Sequence, residues 1–319
     1  MAFRPILDYS IRPAKNIERK MIAEALARLR HFERVESYQY VGMGGLYFSD
    51  FKLFHRELNF SSMISLEWPA NEPDRLRFDC NKPFRPIEVR FSEPAAALKL
   101  ISSESPVIVW LDYEDPVHDT ILADIAAIAF QVASGSVLIA TVNAQLSPEQ
   151  LRSDELIPRL REDLGDRLPP DIDRNKLRGD WDFAGLSRRL INSEIERALA
   201  DRSGGPAGSE LKFHQLFNFH YRDGDRMLTV GGLIHRQSQQ PTVGACDFDT
   251  LGFVRHGEEP YQIEVPRITP AERTRLNAAL PKFEEELAVV ASSIGVPAVD
   301  AERYAKIYRY FPSFGEGDL

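Results

Sequence analysis

The sequence predicts a doubly wound α/β fold whose mostly parallel, seven-stranded sheet ends in an antiparallel hairpin, with a helical insertion and a helical C-terminal extension. Short β-rich segments alternate with helical segments between residues 38 and 142, as expected for strands joined by crossover helices. Residues 107–112 (VIVWLD) are almost continuously apolar, which is typical of a central strand buried on both faces. Farther along, Asp223-Gly224 separates two strand-like segments and predicts the hairpin.

The predicted elements follow one another in a regular order. An amphipathic helix comes first, at residues 17–30, because its apolar residues recur at the spacing of one helical face. The parallel strands are expected at residues 38–41, 63–67, 87–91, 107–112 and 136–142, and the hairpin strands at 213–221 and 227–234. Connecting helices are expected at residues 51–58, 94–101 and 120–132. In the first hairpin strand, His214 and His220 are expected on one face, because side chains alternate along a strand.

The chain is expected to have three parts. Residues 1–37 are predicted to form an N-terminal helical lid, and residues 38–240 a domain built on the sheet. That domain contains a helical insertion at residues 147–210, which is polar apart from one apolar stripe. Residues 241–319 are predicted to form a helical C-terminal extension.

Composition narrows the class of protein. The 319 residues are 43% hydrophobic and 27% charged, which is ordinary for a globular protein. A net charge of −9 disfavours nucleic acid as a partner, because phosphate contacts need clustered Lys and Arg. Two distant cysteines make neither a disulfide framework nor a zinc site. The sequence has no apolar signal region and no segment long enough to cross a bilayer, so we expect a cytoplasmic protein without membrane contact. A partner protein or a homodimer remains possible.

Two features at the ends of the first two strands suggest a nucleotide site. Gly42-Met43-Gly44-Gly45 follows the first strand, although Tyr47 stands where a dinucleotide fingerprint has its third glycine. Glycine lets the backbone approach a ligand closely, but it is also common in plain turns. Glu67 ends the second strand, where an acidic side chain can accept hydrogen bonds from both hydroxyls of a ribose. The alternative is a surface carboxylate.

The strand order, the glycine segment and the final hairpin resemble the class I S-adenosylmethionine (SAM)-dependent methyltransferases, and among them a bacterial O-methyltransferase-like family. The resemblance extends over residues 38–236 and implies SAM as cofactor, with Gly42, Gly44 and Gly45 beside its methionine part. Glu67 would then bind the ribose. Tyr40 departs from the family pattern, which has an acidic residue two places before the first glycine, so the contact with the amino group of the cofactor is unassigned.

Glu93 follows the third predicted strand closely. In a nucleotide-binding fold it can reach the edge of the adenine, and we include it among the cofactor-binding candidates. It can equally begin the next helix.

Asp112 and Tyr113 follow the central strand, where a methyl acceptor would lie, and are the candidate catalytic residues. Neighbouring carboxylates can raise the pKa of one acid and make it a general base. Asp112 and Asn143 could instead share a divalent metal. In metal-dependent catechol-type O-methyltransferases, however, an Asp stands where this chain has Val142, so we expect no metal. A third possibility is that these acids only cap the following helix.

The same position carries an Asn/Asp-Pro-Pro-Tyr segment in methyltransferases that act on the amino groups of DNA bases and protein glutamine. This chain has Asp112-Tyr113-Glu114-Asp115-Pro116 there. Methylation of a base amino group is therefore disfavoured.

Arg12, Lys15 and Asn143 are the candidate substrate-binding residues. The two cations precede the predicted first helix, where positive charge opposes the helix dipole, which suggests a functional reason for them. They could bind an anionic substrate or a partner, lie over the cofactor as part of the lid, or simply be solvated.

Three functions are compatible with these features. The first is a SAM-dependent methyltransferase acting on oxygen or another non-base acceptor of unknown identity. The second is a non-catalytic nucleotide-binding or assembly protein that keeps the fold, because a fold alone does not imply an activity. The third is a different nucleotide-dependent enzyme that uses the same crevice.

Overall fold

The computed structural model describes residues 12–68, 72–92, 100–202, 210–281 and 284–313. The strands in these ranges are β1 (Gln39–Gly42), β2 (Ser62–Glu67), β3 (Ile87–Phe91), β4 (Val107–Pro116), β5 (Ser136–Asn143), β6 (Leu211–Asp223), β7 (Asp225–Arg236) and β8 (Tyr261–Ile263). The α-helices are α1 (Pro13–Leu26), α2 (Ser49–Leu58), α3 (Glu72–Asn81), α4 (Asp119–Gln131), α5 (Pro148–Arg152), α6 (Leu156–Leu164), α7 (Asp182–Asp201), α8 (Gln240–Ala245), α9 (Pro270–Asn277), α10 (Glu284–Ser293) and α11 (Ala298–Ile307). None of the described helices combines the length and the apolar character needed to cross a membrane.

The described strands form one sheet in the order β3-β2-β1-β4-β5-β7-β6-β8. Strands β1 to β5 are parallel to one another, whereas β7 runs antiparallel between β5 and β6. The predicted fold class is thereby confirmed, with one strand more than the seven expected. The additional strand, β8, is parallel to β6 and too short to show a periodic pattern. Strand order reverses between β1 and β4, and in such sheets the crevice at this point is where ligands bind.

Both faces of the central strand β4 are covered, as its apolar sequence predicts. Val107, Val109 and Leu111 belong to a core that also contains buried residues of α4 and α7. Ile108 and Trp110 face the other side and pack in the core formed with α1 and α2. Because side chains alternate along a strand, covering both faces fixes the end of β4 relative to the helices on each side.

Helix α1 begins four residues earlier than the periodic pattern predicts. Pro13 occupies its first turn, where proline is favoured because its missing N–H is not needed. The α-helix ends at Leu26 and continues as a short 3₁₀ segment. Of the two basic residues expected before the helix, Lys15 therefore lies inside its first turn and Arg12 is its N-cap residue. Asp223, in the hairpin, accepts hydrogen bonds from the backbone N–H groups of Ala14 (3.3 Å) and Lys15 (2.8 Å), and so supplies the negative charge that this helix end lacks.

The histidines of β6 do not share a face, contrary to the expectation from alternation. Gln215 pairs with Gly232 and Phe217 with Gly231, so Leu216 is an extra residue in a β-bulge. The extra residue reverses the alternation along the rest of the strand. Accordingly, the ring of His220 stacks on that of Trp181 on one face of the sheet, with centroids 4.6 Å apart. The ring of His214 lies on the other face, 4.7 Å from that of His256.

The insertion and the extension differ in how they pack. The insertion has the apolar stripe that the sequence predicts, on α7, and this stripe is buried in the same core as α4. Helices α9 to α11 of the extension enclose a small core of their own, which includes Leu276, Ala291 and Tyr304. The division into lid, sheet domain and extension stays a prediction. The helix expected at 94–101 lies largely outside the described residues.

Candidate active site

A cavity of about 850 Å³ opens at the carboxyl ends of β1, β2, β4 and β5. The N-terminal half of α1, the start of α2, residues of α4 and the β6–β7 hairpin form its other walls. The sequence-predicted site residues that line it are Arg12, Lys15, Gly44, Gly45, Glu67, Asp112, Tyr113 and Asn143. Gly42 does not line the cavity, and Glu93 lies outside the described residues. The cavity thus occupies the crevice at which the strand order reverses.

The three glycines at the carboxyl end of β1 have different structural roles. A Cβ atom on Gly42 would lie 2.5 Å from the hydroxyl of Tyr40, so this glycine makes room for a buried side chain rather than for a ligand. A Cβ atom on Gly44 would lie 2.9 Å from the rings of Phe48 and Phe51. Gly45 has a φ of +55° with open space around it. Substituting Gly44 would therefore disturb the aromatic core as well as the cavity, and would not test ligand binding alone.

Glu67 joins the ends of β1 and β2. Its carboxylate accepts hydrogen bonds from the Gly45 N–H (3.1 Å) and the Ser65 hydroxyl (2.6 Å), and the Ser65 oxygen accepts one from the Gly44 N–H (3.1 Å). Burial raises the pKa of Glu67 to about 7, against the opposing effect of the bonds from Ser65 and Gly45. The next residue, Trp68, also lines the cavity and is 63% exposed. A buried carboxylate beside an exposed aromatic ring is a suitable arrangement for a ribose attached to a flat base.

Asp112 lies in an ion pair with Lys15, and the neighbouring acids Glu114 and Asp115 line the same cavity. The Oδ1 of Asp112 is 2.9 Å from the Nζ of Lys15, which also donates to the Tyr221 hydroxyl (3.1 Å) and lies 2.9 Å from Glu18. Burial alone would lower the pKa of Lys15, but the charges of Asp112 and Glu18 outweigh it and the pKa is raised. Lys15 is therefore a permanent positive charge beside Asp112.

The two carboxylates that contact the Lys15 ammonium are buried to different degrees. The Glu18 side chain is fully buried, whereas that of Asp112 retains 26% of its exposure. Lys15 also lies over the ring of Trp110, 4.6 Å from its centroid. Of these carboxylates, Asp112 is the one that reaches the cavity.

Two other predicted residues are held by local hydrogen bonds. The Tyr113 hydroxyl donates to Asp124 at 3.0 Å, and its pKa is raised by burial and by the charge of Asp124. The Asn143 side chain accepts a hydrogen bond from the N–H of Gln145 at 2.9 Å. Both line the cavity, but these contacts orient them toward protein groups. Their predicted roles in catalysis and substrate binding stay predictions.

Several cavity residues were not singled out from the sequence: Asp50, Trp68, Tyr221 and Asp223. Arg19, which also lines the cavity, lies in the same basic segment as Arg12 and Lys15. Asp50, Trp68 and Tyr221 match no sequence motif. The one local signal is Asp223, which belongs to the turn dipeptide that predicts the hairpin. Among the described residues, no group of three or more His, Cys, Asp or Glu side chains is arranged to hold a metal ion.

Comparison with known proteins gives one match that spans almost the whole sequence. The sequence model of a family described as "Putative O-methyltransferase" matches residues 7–319. No curated protein matches the chain.

Solved structures show more distant similarity. An O-methyltransferase family protein from Burkholderia thailandensis is 12% identical over 67% of this chain and 55% of that one, with a TM-score of 0.33. The O-methyltransferase TomG from Streptomyces achromogenes, in complex with SAM, is 14% identical over 68% of this chain and 79% of that one, with a TM-score of 0.35. The chain spans about half the length of the first of these proteins. Because the family match covers nearly every residue, the chain belongs to this O-methyltransferase family, which confirms the resemblance predicted from the sequence.

Proposed function

We propose that the cavity binds SAM and that the protein transfers a methyl group from it to an oxygen atom of an acceptor. The observation that carries this proposal is the pairing of the Gly44-Gly45 backbone with the Glu67 carboxylate at the carboxyl edge of β1 and β2. Membership of the O-methyltransferase family supports the reaction class. The cavity, about 850 Å³, lies within the usual size range of small-molecule and cofactor sites.

The residues present fit the nucleoside part of the cofactor. Glu67 would accept hydrogen bonds from the ribose hydroxyls, and Trp68 offers an exposed aromatic face beside it. Gly45 has no Cβ and open space around it, so the backbone there can approach the ligand closely. When bound, SAM supplies an electrophilic methyl group on a sulfonium.

The acceptor would lie at the end of β4, between α1 and the hairpin. There Asp112 can accept the proton that the acceptor hydroxyl loses, while the Lys15 ammonium attracts the negative charge that develops on the oxygen. Tyr221, held by Lys15, limits the position of the acceptor from the hairpin side. Most of the catalytic effect would come from holding the acceptor in line with the methyl group.

A second candidate is a protein that binds the nucleoside without transferring a methyl group. The engagement of Asp112 by Lys15, and of Tyr113 by Asp124, favours it, because both candidate catalytic groups already have partners in the protein. The two candidates share the binding site and differ in turnover.

Calorimetric titration tests the binding step. Protein freed of any carried-over ligand should bind SAM and S-adenosylhomocysteine, but not NAD⁺ or ATP at the same concentrations. Binding of NAD⁺ or ATP alone would favour a different nucleotide-dependent enzyme. Absence of binding to all four compounds would contradict the proposed site.

Turnover separates the two candidates. With an acceptor that the wild-type protein methylates, Asp112→Asn should lower turnover by about 10²-fold, the usual size of a general-base contribution. Its dissociation constant for S-adenosylhomocysteine should stay close to that of the wild type. Full activity in this variant would limit Asp112 to a structural role.

We also propose a cytoplasmic location, a bacterial origin and assembly as a homodimer or with a partner protein. They are motivated by the composition and by the family resemblance. Size-exclusion chromatography with light scattering would show directly whether the purified chain forms dimers.

A further inference from the structure

The sequence leaves one contact of the proposed cofactor unassigned, because Tyr40 occupies the position at which related methyltransferases carry an acid. We propose that Asp50 takes over this function and binds the α-ammonium group of the amino-acid end of SAM, while Arg19 binds its α-carboxylate. This inference rests on the proposed function and adds the residues that recognise a zwitterion.

The Asp50 carboxylate lies near the position of the acid that is missing at residue 40. The hydroxyl of Tyr40 donates a hydrogen bond to its Oδ2. That same hydroxyl lies 2.5 Å from where a Cβ of Gly42 would be, so the Asp50 carboxylate is next to the first glycine after β1. Asp50 is 7% exposed and lines the cavity. A tyrosine in the strand and an aspartate at the start of α2 together bring a carboxylate to the glycine segment.

Arg19 supplies the opposite charge from a different element. It is on α1, is 5% exposed and lines the same cavity. Burial raises the pKa of Asp50, and the nearby Arg19 guanidinium opposes that rise. The two charges are therefore close enough to interact, although α1 and α2 are separate in sequence.

A buried acid and a buried base on one cavity wall are complementary to an amino-acid zwitterion. Burial of a carboxylate is costly unless cations or hydrogen-bond donors compensate for it. A ligand ammonium beside Asp50 would add such compensation, and the planar guanidinium of Arg19 matches the two oxygens of a carboxylate. Glu67 contacts the opposite, nucleoside end, so the two ends of the ligand can be tested separately.

Three ligands that differ only at the amino-acid end make the test. S-adenosylhomocysteine has both the ammonium and the carboxylate, S-adenosyl-3-thiopropylamine has only the ammonium, and 5′-methylthioadenosine has neither. Dissociation constants are measured by calorimetry for the wild type, Asp50→Asn, Arg19→Gln and Tyr40→Phe. Asp154→Asn is the matched control, because Asp154 is exposed and paired with Arg174 away from the cavity.

Asp50→Asn should weaken binding of S-adenosylhomocysteine and of the amine by about 10-fold or more, because the variant loses a hydrogen bond between charged groups. Its affinity for 5′-methylthioadenosine should stay within about twofold of the wild type. Arg19→Gln should weaken S-adenosylhomocysteine alone. Tyr40→Phe keeps the carboxylate but removes its hydrogen bond, and should show a smaller loss with the same ligand pattern as Asp50→Asn.

Other outcomes would overturn the inference. If Asp50→Asn weakens the affinity for all three ligands equally, or for none of them, Asp50 does not bind the ammonium group. Failure to bind 5′-methylthioadenosine together with a lowered melting temperature would show that Asp50→Asn does not fold. Tyr40→Phe then tests the assignment, because it should weaken S-adenosylhomocysteine and the amine but not 5′-methylthioadenosine. If the wild type binds none of the three ligands, the proposed function itself fails and not only this assignment.

Discussion

Glu67 combines burial, charge and access to the cavity in a single side chain. Its carboxylate is held by Ser65 and the Gly45 N–H, and it lies at the end of a strand in the middle of the parallel sheet. Such a group can exchange part of its internal hydrogen bonding for the hydroxyls of a ribose. The sequence places Glu67 at the end of β2, and the structure places it on the cavity wall, while its contact with a ribose stays a prediction.

Replacing Glu67 by glutamine removes the charge and keeps the shape. We expect Glu67→Gln to weaken binding of S-adenosylhomocysteine by about 1.5–3 kcal/mol, the range for hydrogen bonds that involve a charged group. Isothermal titration calorimetry measures this directly, with Glu302→Gln on the exposed surface of α11 as control. A loss no larger than that of the control would show that Glu67 does not contact the ligand.

The raised pKa of Glu67 makes binding depend on pH. Its pKa is about 7 instead of 4.5, so the carboxyl group is protonated over a wider range and must lose a proton to accept two ribose hydroxyls. Affinity for S-adenosylhomocysteine should therefore rise as the pH rises through about 7, by roughly tenfold between pH 6 and pH 8. Glu67→Gln should lose this part of the pH dependence. An unchanged profile in the variant would assign the titration to another group.

At the scale of elements, α1 contacts the sheet through its apolar face and also through the ion pair of Lys15 with Asp112. Lys15 compensates Asp112 on β4 and Glu18 on its own helix. Asp223, at the end of β6, binds the backbone N–H groups of the first turn of α1. These contacts connect the helix, the central strand and the hairpin at the same edge of the sheet.

Lys15→Met should destabilise the fold, because it leaves the fully buried Glu18 without its cation. We expect a loss near the lower end of about 3–5 kcal/mol in the free energy of unfolding, since Asp112 remains partly solvated. Urea denaturation measures it. Lys20→Met on the same helix, at a partly exposed position, should cost less than about 1 kcal/mol. Equal losses in the two variants would mean that the buried ion pair does not contribute.

The hairpin imposes a second constraint, which acts through backbone contact. A Cβ atom on Gly232 would lie 2.1 Å from the carbonyl oxygen of His214 on the neighbouring strand. Gly232→Ala should therefore cost at least about 1–3 kcal/mol, as overpacking does. Gly185→Ala, in α7 with open space around it, should instead add about 0.5–1 kcal/mol. Comparison of the two melting temperatures checks this, and a gain for both would be inconsistent with the described hairpin contact.

The limits of sequence-based prediction are visible in the same elements. Periodic patterns are local, so they located the strands and the hairpin. They could not show the bulge at Leu216, which reverses the alternation in β6. Nor could they show that Tyr40 contacts Asp50 or that Lys15 contacts Asp112, because each contact joins side chains of two different elements. The role of the acids around Asp112 stays a prediction, and the partner of Asp112, Lys15, could not be predicted from its position in the chain.

For the whole molecule, the order of the strands determines where the site lies. The reversal between β1 and β4 opens a crevice, and α1, α2 and the hairpin close it on three sides. The residues proposed to bind the nucleoside lie at or just after the ends of β1 and β2, and those proposed to face the acceptor belong to β4 and β6. The fold could be predicted from sequence, and so could the position of Gly44, Gly45 and Glu67 on the cavity wall. The contacts of Lys15 with Asp112 and Tyr221 could not, because only the folded chain brings these side chains together.

The structure of the protein in complex with S-adenosylhomocysteine tests the central claim most directly. We expect the nucleoside in the cavity, with a ribose hydroxyl within hydrogen-bond distance of the Glu67 carboxylate and the sulfur facing Asp112 and Tyr221. A ligand bound elsewhere on the molecule, or bound in the cavity with its ribose away from Glu67, would contradict the proposed site.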